Sequence, residues 1–210
     1  MLIARMERDG LRLIVSDLGV SRAGRTIFAE VSFGLSRGEG LLVVGPNGSG
    51  KSTLLRAIAG FLPVDAGSSK LEPTADPIGL HAHFLNAMNA MKGALTVHEN
   101  LAFFQKFGGE PHLSVQDALE AVRLSHVIEN RFGDLSTGQR RRVALARLLV
   151  NHRPIWLLDE PTSGLDAASE EMFARLVADH MAEGGIVIAA THLPIAVAGM
   201  KTLRFEEEPA

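Results

Sequence analysis

The chain contains no cysteine and no tyrosine, and a single tryptophan among 210 residues. Without cysteine there is no disulfide framework, no zinc–thiolate site and no thiol nucleophile. Aromatic residues make up 5% of the chain, too few for a platform on which successive bases stack. Neither sign of charge dominates: 21 Lys and Arg against 24 Asp and Glu leave a net charge of −3. A protein that neutralises the phosphates of a nucleic acid carries a basic excess, so no nucleic-acid partner is expected. Long apolar runs are also missing. The aliphatic stretch 186–190 falls well short of the roughly 18 residues of a membrane span. The few apolar residues before Arg5 are too short for a signal-peptide core. The expectation is a chain that meets a membrane only through a partner, built as one domain that buries about 70% of its unfolded surface.

What is present is an alternation of apolar strands and amphipathic helices. Residues 11–15, 26–35 and 41–44 read as strands, the last a continuous apolar run ending at Gly45, as in a strand buried on both faces. Helical spacing takes over at 51–59 and stops at Gly60. Two further aliphatic runs, 155–158 and 186–190, are followed by helical stretches at about 167–182 and 195–200. This order predicts an α/β domain with a mostly parallel sheet. Residues 86–150 break it. Thr96-x-x-Glu99 is a capping box before an apolar helix, and Ser114 opens another to about Leu124. That region reads as a helical insertion between the two halves of the sheet.

Between strand 41–44 and helix 51–59 stand Gly45, Pro46, Asn47, Gly48, Ser49, Gly50, Lys51 and Ser52, which fit G-x-x-x-x-G-K-[ST]. Glycines let the loop fold tightly, so that successive N–H groups face phosphate oxygens at a helix N-terminus. Lys51 is positioned to neutralise β- and γ-phosphate charge, and the Ser52 hydroxyl to ligate Mg²⁺. Asp159 and Glu160 directly follow the run 155–158. Neighbours on a strand face opposite ways, so the two acids can take different work. Asp159 is the candidate Mg²⁺ holder, and Glu160 the group that polarises the water attacking the γ-phosphate. Leu135-Ser136-Thr137-Gly138-Gln139 opens a helix and offers a second anion site. Arg140, Arg141 and Arg142 then occupy its first turn, against the helix dipole. That conflict fits a nearby phosphate, or else a solvated basic face.

These motifs resemble the ATP-binding subunits of ABC transporters, and the likeness covers nearly the whole chain. It takes in the 45–52 cradle, the 135–139 signature, the Asp159-Glu160 pair, Ser163-Gly164-Leu165-Asp166 and His192. The resemblance implies a P-loop NTPase fold with a mostly parallel core sheet, an antiparallel β subdomain and a helical insertion. It divides a single domain, 1–210, into a core of 1–85 and 151–210 and a helical subdomain of 86–150. It also implies a head-to-tail homodimer enclosing two ATP molecules. Lys51, Thr53 and Asp166 then join the nucleotide site, Ser136, Gly138 and Gln139 contact the partner's γ-phosphate, and His192 is the switch histidine that bonds a γ-phosphate. Integral membrane permease subunits would dock on 86–130.

Two departures from the family pattern stand out. The stretch 83–89 holds no Gln where the sheet meets the insertion; the expected position falls near Met88, with Asn86 or Asn89 as substitutes. Arg22-Ala23 replaces the usual adenine-stacking aromatic, leaving the Arg22 guanidinium plane as a weak stand-in.

Within the family, the runs 90–101, 139–147 and 156–161 resemble the ATPase subunits of bacterial haem exporters. That likeness implies ATP hydrolysis at the cytoplasmic face of the inner membrane, with haem-handling membrane proteins as partners in c-type cytochrome biogenesis. An ATPase for another small substrate, a soluble ABC protein outside transport and a regulatory ATP binder remain alternatives. His81-x-His83 would share one strand face and is a candidate haem or metal site, or an ordinary pair of histidines.

Overall fold

The structure is a computed structural model and describes residues 10–88, 90–192 and 197–205. Its centre is a five-stranded parallel sheet of β3 (Gly40–Val44), β5 (Ala82–Leu85), β8 (Ile155–Asp159), β9 (Ile186–Thr191) and β10 (Lys201–Arg204), in the order β10-β3-β9-β8-β5. Every residue of β8 and β9 is buried, which is why both read as unbroken apolar runs. An antiparallel sheet of β2 (Arg25–Ser36), β1 (Arg12–Arg22) and β4 (Ala66–Glu72) lies beside it. The β1–β2 turn has Ala23 and Gly24 at φ 51° and 77°, the doubly positive turn that matches the twist of a tight hairpin.

Alternation along β8 sends its side chains to two different cores. Ile155 and Leu157 join Leu41, Val43, Ile186 and Ile188 against the antiparallel sheet and α1 (Lys51–Ile58). Trp156 and Leu158 join Val187 and Ala189 against α5 (Ala167–Ala182) and the helices of the insertion. Those helices are α2 (Val97–Phe107), α3 (Val115–Ala121) and α4 (Thr137–Leu149). Thr96 and Glu99 cap α2 reciprocally, and Ser114 caps α3. A two-stranded ribbon of β6 (Glu110–Pro111) and β7 (Asn151–His152) pairs the segment between α2 and α3 with the chain that follows α4.

Some boundaries differ from the expectation. The helix opened by Ser114 stops at Ala121, and Arg123 turns left-handed at φ 58°. Strand β1 runs on to Arg22, because bulges rather than a turn accommodate Asp17. Of the helix expected at 195–200, residues 193–196 lie outside the described residues. Residues 197–200 form a turn around Gly199, at φ 82°, leading into β10.

Candidate functional site

Strands β3, β9 and β8 are neighbours, and their carboxyl ends deliver the cradle, His192 and the two acids to one edge of the sheet. Crevices at that edge are where open parallel sheets bind ligands. Glycine is required in the cradle for reasons of space. A Cβ on Gly45 would stand 2.4 Å from the carbonyl oxygen of Phe205. Gly50, at φ 99°, ends the loop as the N-cap of α1, where a Cβ would meet Ile27 at 2.8 Å.

Lys51 is 5% exposed, and its Nζ donates to the carbonyl oxygens of Gly45 and Pro46, 2.7 Å each. The ammonium thus closes the loop from within. The buried Ser49 hydroxyl has no hydrogen-bond partner among the described residues, an orphan polar group of the kind an incoming oxyanion satisfies. Ser52 Oγ donates to Asp159 Oδ1 at 2.8 Å, which places two hard oxygen donors side by side. Mg²⁺ prefers such donors, so the residues present fit it. Burial holds the Asp159 carboxyl above its usual range, against the bond from Ser52. Thr53 follows in the first turn of α1, partly exposed.

Glu160 leaves β8 at φ 46°, a left-handed conformation that a non-glycine residue adopts only under constraint. Its amide donates to Ala190 on β9 at 2.8 Å, and its Oε2 lies 2.8 Å from His192 Nδ1. Among the described residues, this edge therefore gathers Lys51, Ser52, Asp159, Glu160 and His192.

The second group of expected residues lies apart from that gathering. Ser136 is the N-cap of α4, and its hydroxyl accepts from the Gln139 amide at 3.2 Å. Gln139 Oε1 accepts from the Ser136 amide in return, at 2.9 Å. Gly138 sits close enough to Gly164 that a Cβ would be 3.5 Å from its carbonyl oxygen, so segments 135–139 and 163–166 adjoin. Asp166 caps α5, accepting from the Ser169 amide at 2.8 Å; hydrogen bonds from the Ser169 side chain and then its amide hold the carboxyl below the usual range.

All three arginines find main-chain carbonyl partners, and the buried Arg141 is not part of a solvated basic face. Arg140 donates to Gly133, and Arg142 to Val122 at 3.4 Å. Arg141 is buried, 4% exposed, and donates to the carbonyl oxygens of Asn86, Asp159, Glu160 and Pro161. Burial lowers its pKa, while the carboxylates of Asp159 and Glu160 oppose that. Sequence reasoning missed the burial of Arg141 because a first-turn arginine carries no mark of it.

At the sheet–insertion junction, Asn86 Oδ1 accepts from the Met88 amide at 2.9 Å, and Met88 points outward, 84% exposed. Asn89 lies outside the described residues. Arg22 ends β1 exposed, opposite Arg25. His81 precedes β5 and pairs with Asp76 at 3.1 Å, whereas His83 faces the Asn151 carbonyl oxygen at 3.0 Å. The two histidines therefore do not act as a pair, and among the described residues no group of three or more metal-ligating side chains assembles. Phe61 packs on Phe84 of β5, and on α2 Phe103 packs on Phe104 and Phe107. Phe61, Leu80, Phe103 and Phe107 are exposed.

The chain matches the ABC transporter family over residues 28–163. It is 51% identical over 200 residues to the cytochrome c biogenesis ATP-binding export protein CcmA of Chelativorans sp. (strain BNC1), covering 92% of this chain and 98% of that protein. The protein of the same name from Mesorhizobium japonicum is 54% identical over 192 residues, covering 90% and 96%. Among solved structures, one described as an ABC transporter ATP-binding protein from Pyrococcus furiosus superposes with a TM-score of 0.79 at 25% identity, covering 92% of this chain and 97% of that one. Among the described residues, no helix is long and apolar enough to cross a membrane. With its loop–helix cradle and strand-end acids on the edge of a parallel sheet, the chain belongs to the ATP-binding subunits of ABC transporters, in the branch of the cytochrome c biogenesis ATP-binding export proteins.

Proposed function

We propose that this chain hydrolyses ATP as the motor subunit of a haem exporter serving c-type cytochrome biogenesis. It works as a homodimer docked from the cytoplasmic side on permease subunits of the bacterial inner membrane. The observation that carries the hydrolytic reading is the Glu160–His192 contact at 2.8 Å, set beside a cradle whose lysine and orphan hydroxyl await phosphate oxygens. The haem substrate rests on the name its relatives share.

In this reading the loop amides of 45–50 wrap the β- and γ-phosphates, and Lys51 exchanges its loop carbonyls for phosphate oxygens. Mg²⁺, held by Ser52 and Asp159, would supply neutralising charge to those oxygens when bound. Glu160 accepts a proton from the attacking water, while His192 orients its carboxylate and then bonds the γ-phosphate. Ser136 and Gln139 cap each other at the α4 N-terminus, and a second copy brings its own signature loop onto this γ-phosphate. ATP then drives closure by binding the closed dimer more tightly than the open one. The exposed side chains of Phe61, Leu80, Phe103 and Phe107 suit apolar segments of a permease.

The test is Glu160→Gln in the assembled complex. Turnover should be lost while ATP is retained and the dimer persists, as read by ATPase assay and size-exclusion chromatography with ATP. Normal hydrolysis by the variant removes Glu160 from its role. Recovery of the wild-type chain with a permease unrelated to haem handling removes the haem assignment alone.

A further inference from the structure

Beside the acids, Arg141 has no task in the proposed chemistry. Its guanidinium Nε donates to Pro161 O at 2.9 Å, one terminal nitrogen to Asn86 O at 2.7 Å, and the other to Asp159 O at 3.3 Å and Glu160 O at 2.5 Å. Three consecutive carbonyls of the acid-bearing segment are therefore gripped by one planar, forked group. Burying a charge is tolerated only where its donors are satisfied, and here they are satisfied by main chain. The grip falls where the backbone is under constraint, since Glu160 stands at φ 46°. Such a conformation persists only when its surroundings over-determine it. The Glu160 amide is fixed by Ala190 on one side, and its carbonyl by Arg141 on the other.

Arg141 also reaches beyond the acids. It belongs to α4, the helix that opens with the 136–139 cap, and Asn86 is the residue at which the chain leaves β5 for the insertion. One side chain thus ties the helix, the insertion's entry point and the acid segment together. We propose that Arg141 is a positioning residue for hydrolysis: it fixes the backbone from which Glu160 reaches water and makes that geometry depend on how α4 sits against the sheet. The proposal rests on the reading of Glu160 as the group that accepts the proton from water. Displacement of the insertion by a partner would then turn hydrolysis down without touching the cradle.

Arg141→Lys keeps the charge and the aliphatic stem but replaces the fork by a point donor, and Arg141→Met keeps the stem alone. In the full-length chain assembled with its membrane partners, kcat should fall about tenfold or more in both variants, with KM for ATP within about twofold of the parent. Added to Glu160→Gln, Arg141→Lys should lower residual turnover no further and leave ATP binding unchanged. Such non-additivity marks two residues acting through one step. An unchanged kcat overturns the proposal. So does a KM that rises in step with the lost kcat, or full additivity with Glu160→Gln. Failure of both variants to fold also overturns it, because the grip is then a requirement of folding alone. If Glu160→Gln is inactive and Arg141→Lys runs at full rate, only the Arg141 proposal fails. If Glu160→Gln itself hydrolyses ATP normally, the reading beneath it fails first.

Discussion

His192 Nδ1 and Glu160 Oε2 stand 2.8 Å apart across the ends of two adjacent parallel strands. The glutamate is three-quarters buried on its side chain, and the histidine about half. The pair is therefore partly open to solvent, so water can reach it. The contact fixes which way the carboxylate points before nucleotide arrives. His192→Ala removes that restraint and, on the proposed mechanism, a phosphate contact. The expected outcome is a fall in kcat of about 10²-fold, the low end for a group assisting proton transfer. ATP affinity should change by less than about threefold. Single-turnover kinetics separates the two, and a variant that loses affinity instead assigns His192 to binding.

Lys51 gives the opposite split. Its ammonium is buried on two loop carbonyls, so the cradle is held shut by a charge that phosphate oxygens can take over. Lys51→Ala leaves both carbonyls without that donor and removes the cation. Charge-assisted hydrogen bonds contribute about 1.5–3 kcal/mol each, so ATP affinity should fall at least about tenfold. Equilibrium binding of a fluorescent ATP analogue measures it. Retained affinity with lost turnover would move Lys51 from holding the substrate to acting on it.

How much of this was legible beforehand depends on where the determining contacts lie in the chain. The cradle was readable because its chemistry is local: Gly45 to Ser52 form one loop between one strand and one helix. The acids were readable because buried strand 155–158 ends on them. The capping box at Thr96 was equally local and is present, whereas the reciprocal cap of Ser136 and Gln139 went unread. Arg141 was opaque because its four acceptors lie 18 to 55 positions away in sequence. The edge strand β10 was opaque too, since its burial pattern is exposed and only pairing with β3 makes it a strand. Phe205 decides why position 45 is glycine, yet nothing between 45 and 52 announces it. The histidines show the converse: proximity in sequence suggested a pair at His81 and His83, and separate partners take each one.

Asp159 should trade stability for function. Burial raises its carboxyl above the usual range, so the native state holds this proton more tightly than the unfolded chain does. Stability from that source is present below the unfolded carboxylate pKa of about 3.9 and is lost as pH rises through the native value. At pH 7 the ionised form is therefore a net burden on the nucleotide-free fold. Asp159→Asn keeps an acceptor for Ser52 and removes the buried charge. Its thermal midpoint without nucleotide should exceed the parent's at pH 7, and the gain should shrink on acidification. The same variant should lose the extra stabilisation that Mg²⁺ adds to ATP. Calorimetry with ATP, with and without Mg²⁺, tests both halves, and an unchanged Mg²⁺ effect removes Asp159 from the metal site.

His180 sets a different pH limit, far from the crevice. Its ring stacks on Trp156 with centroids 4.1 Å apart, and its Nε2 has no hydrogen-bond partner among the described residues. Burial pushes its pKa down to about 3, with His152 adding to the shift and the Pro154 carbonyl opposing it. The unfolded imidazole titrates near 6.5. Between those values the unfolded chain binds a proton that the native state refuses, so stability falls as pH falls through that window. The limiting slope is about 1.4 kcal/mol per pH unit for one proton. His180→Gln cannot titrate there, and its own cost to packing is the same at every pH. Urea denaturation at several pH values between 6.5 and 4 should therefore show a shallower loss of stability in the variant than in the parent. Parallel curves would mean that His180 is protonated in the native state after all, and that its stack with Trp156 holds a cation.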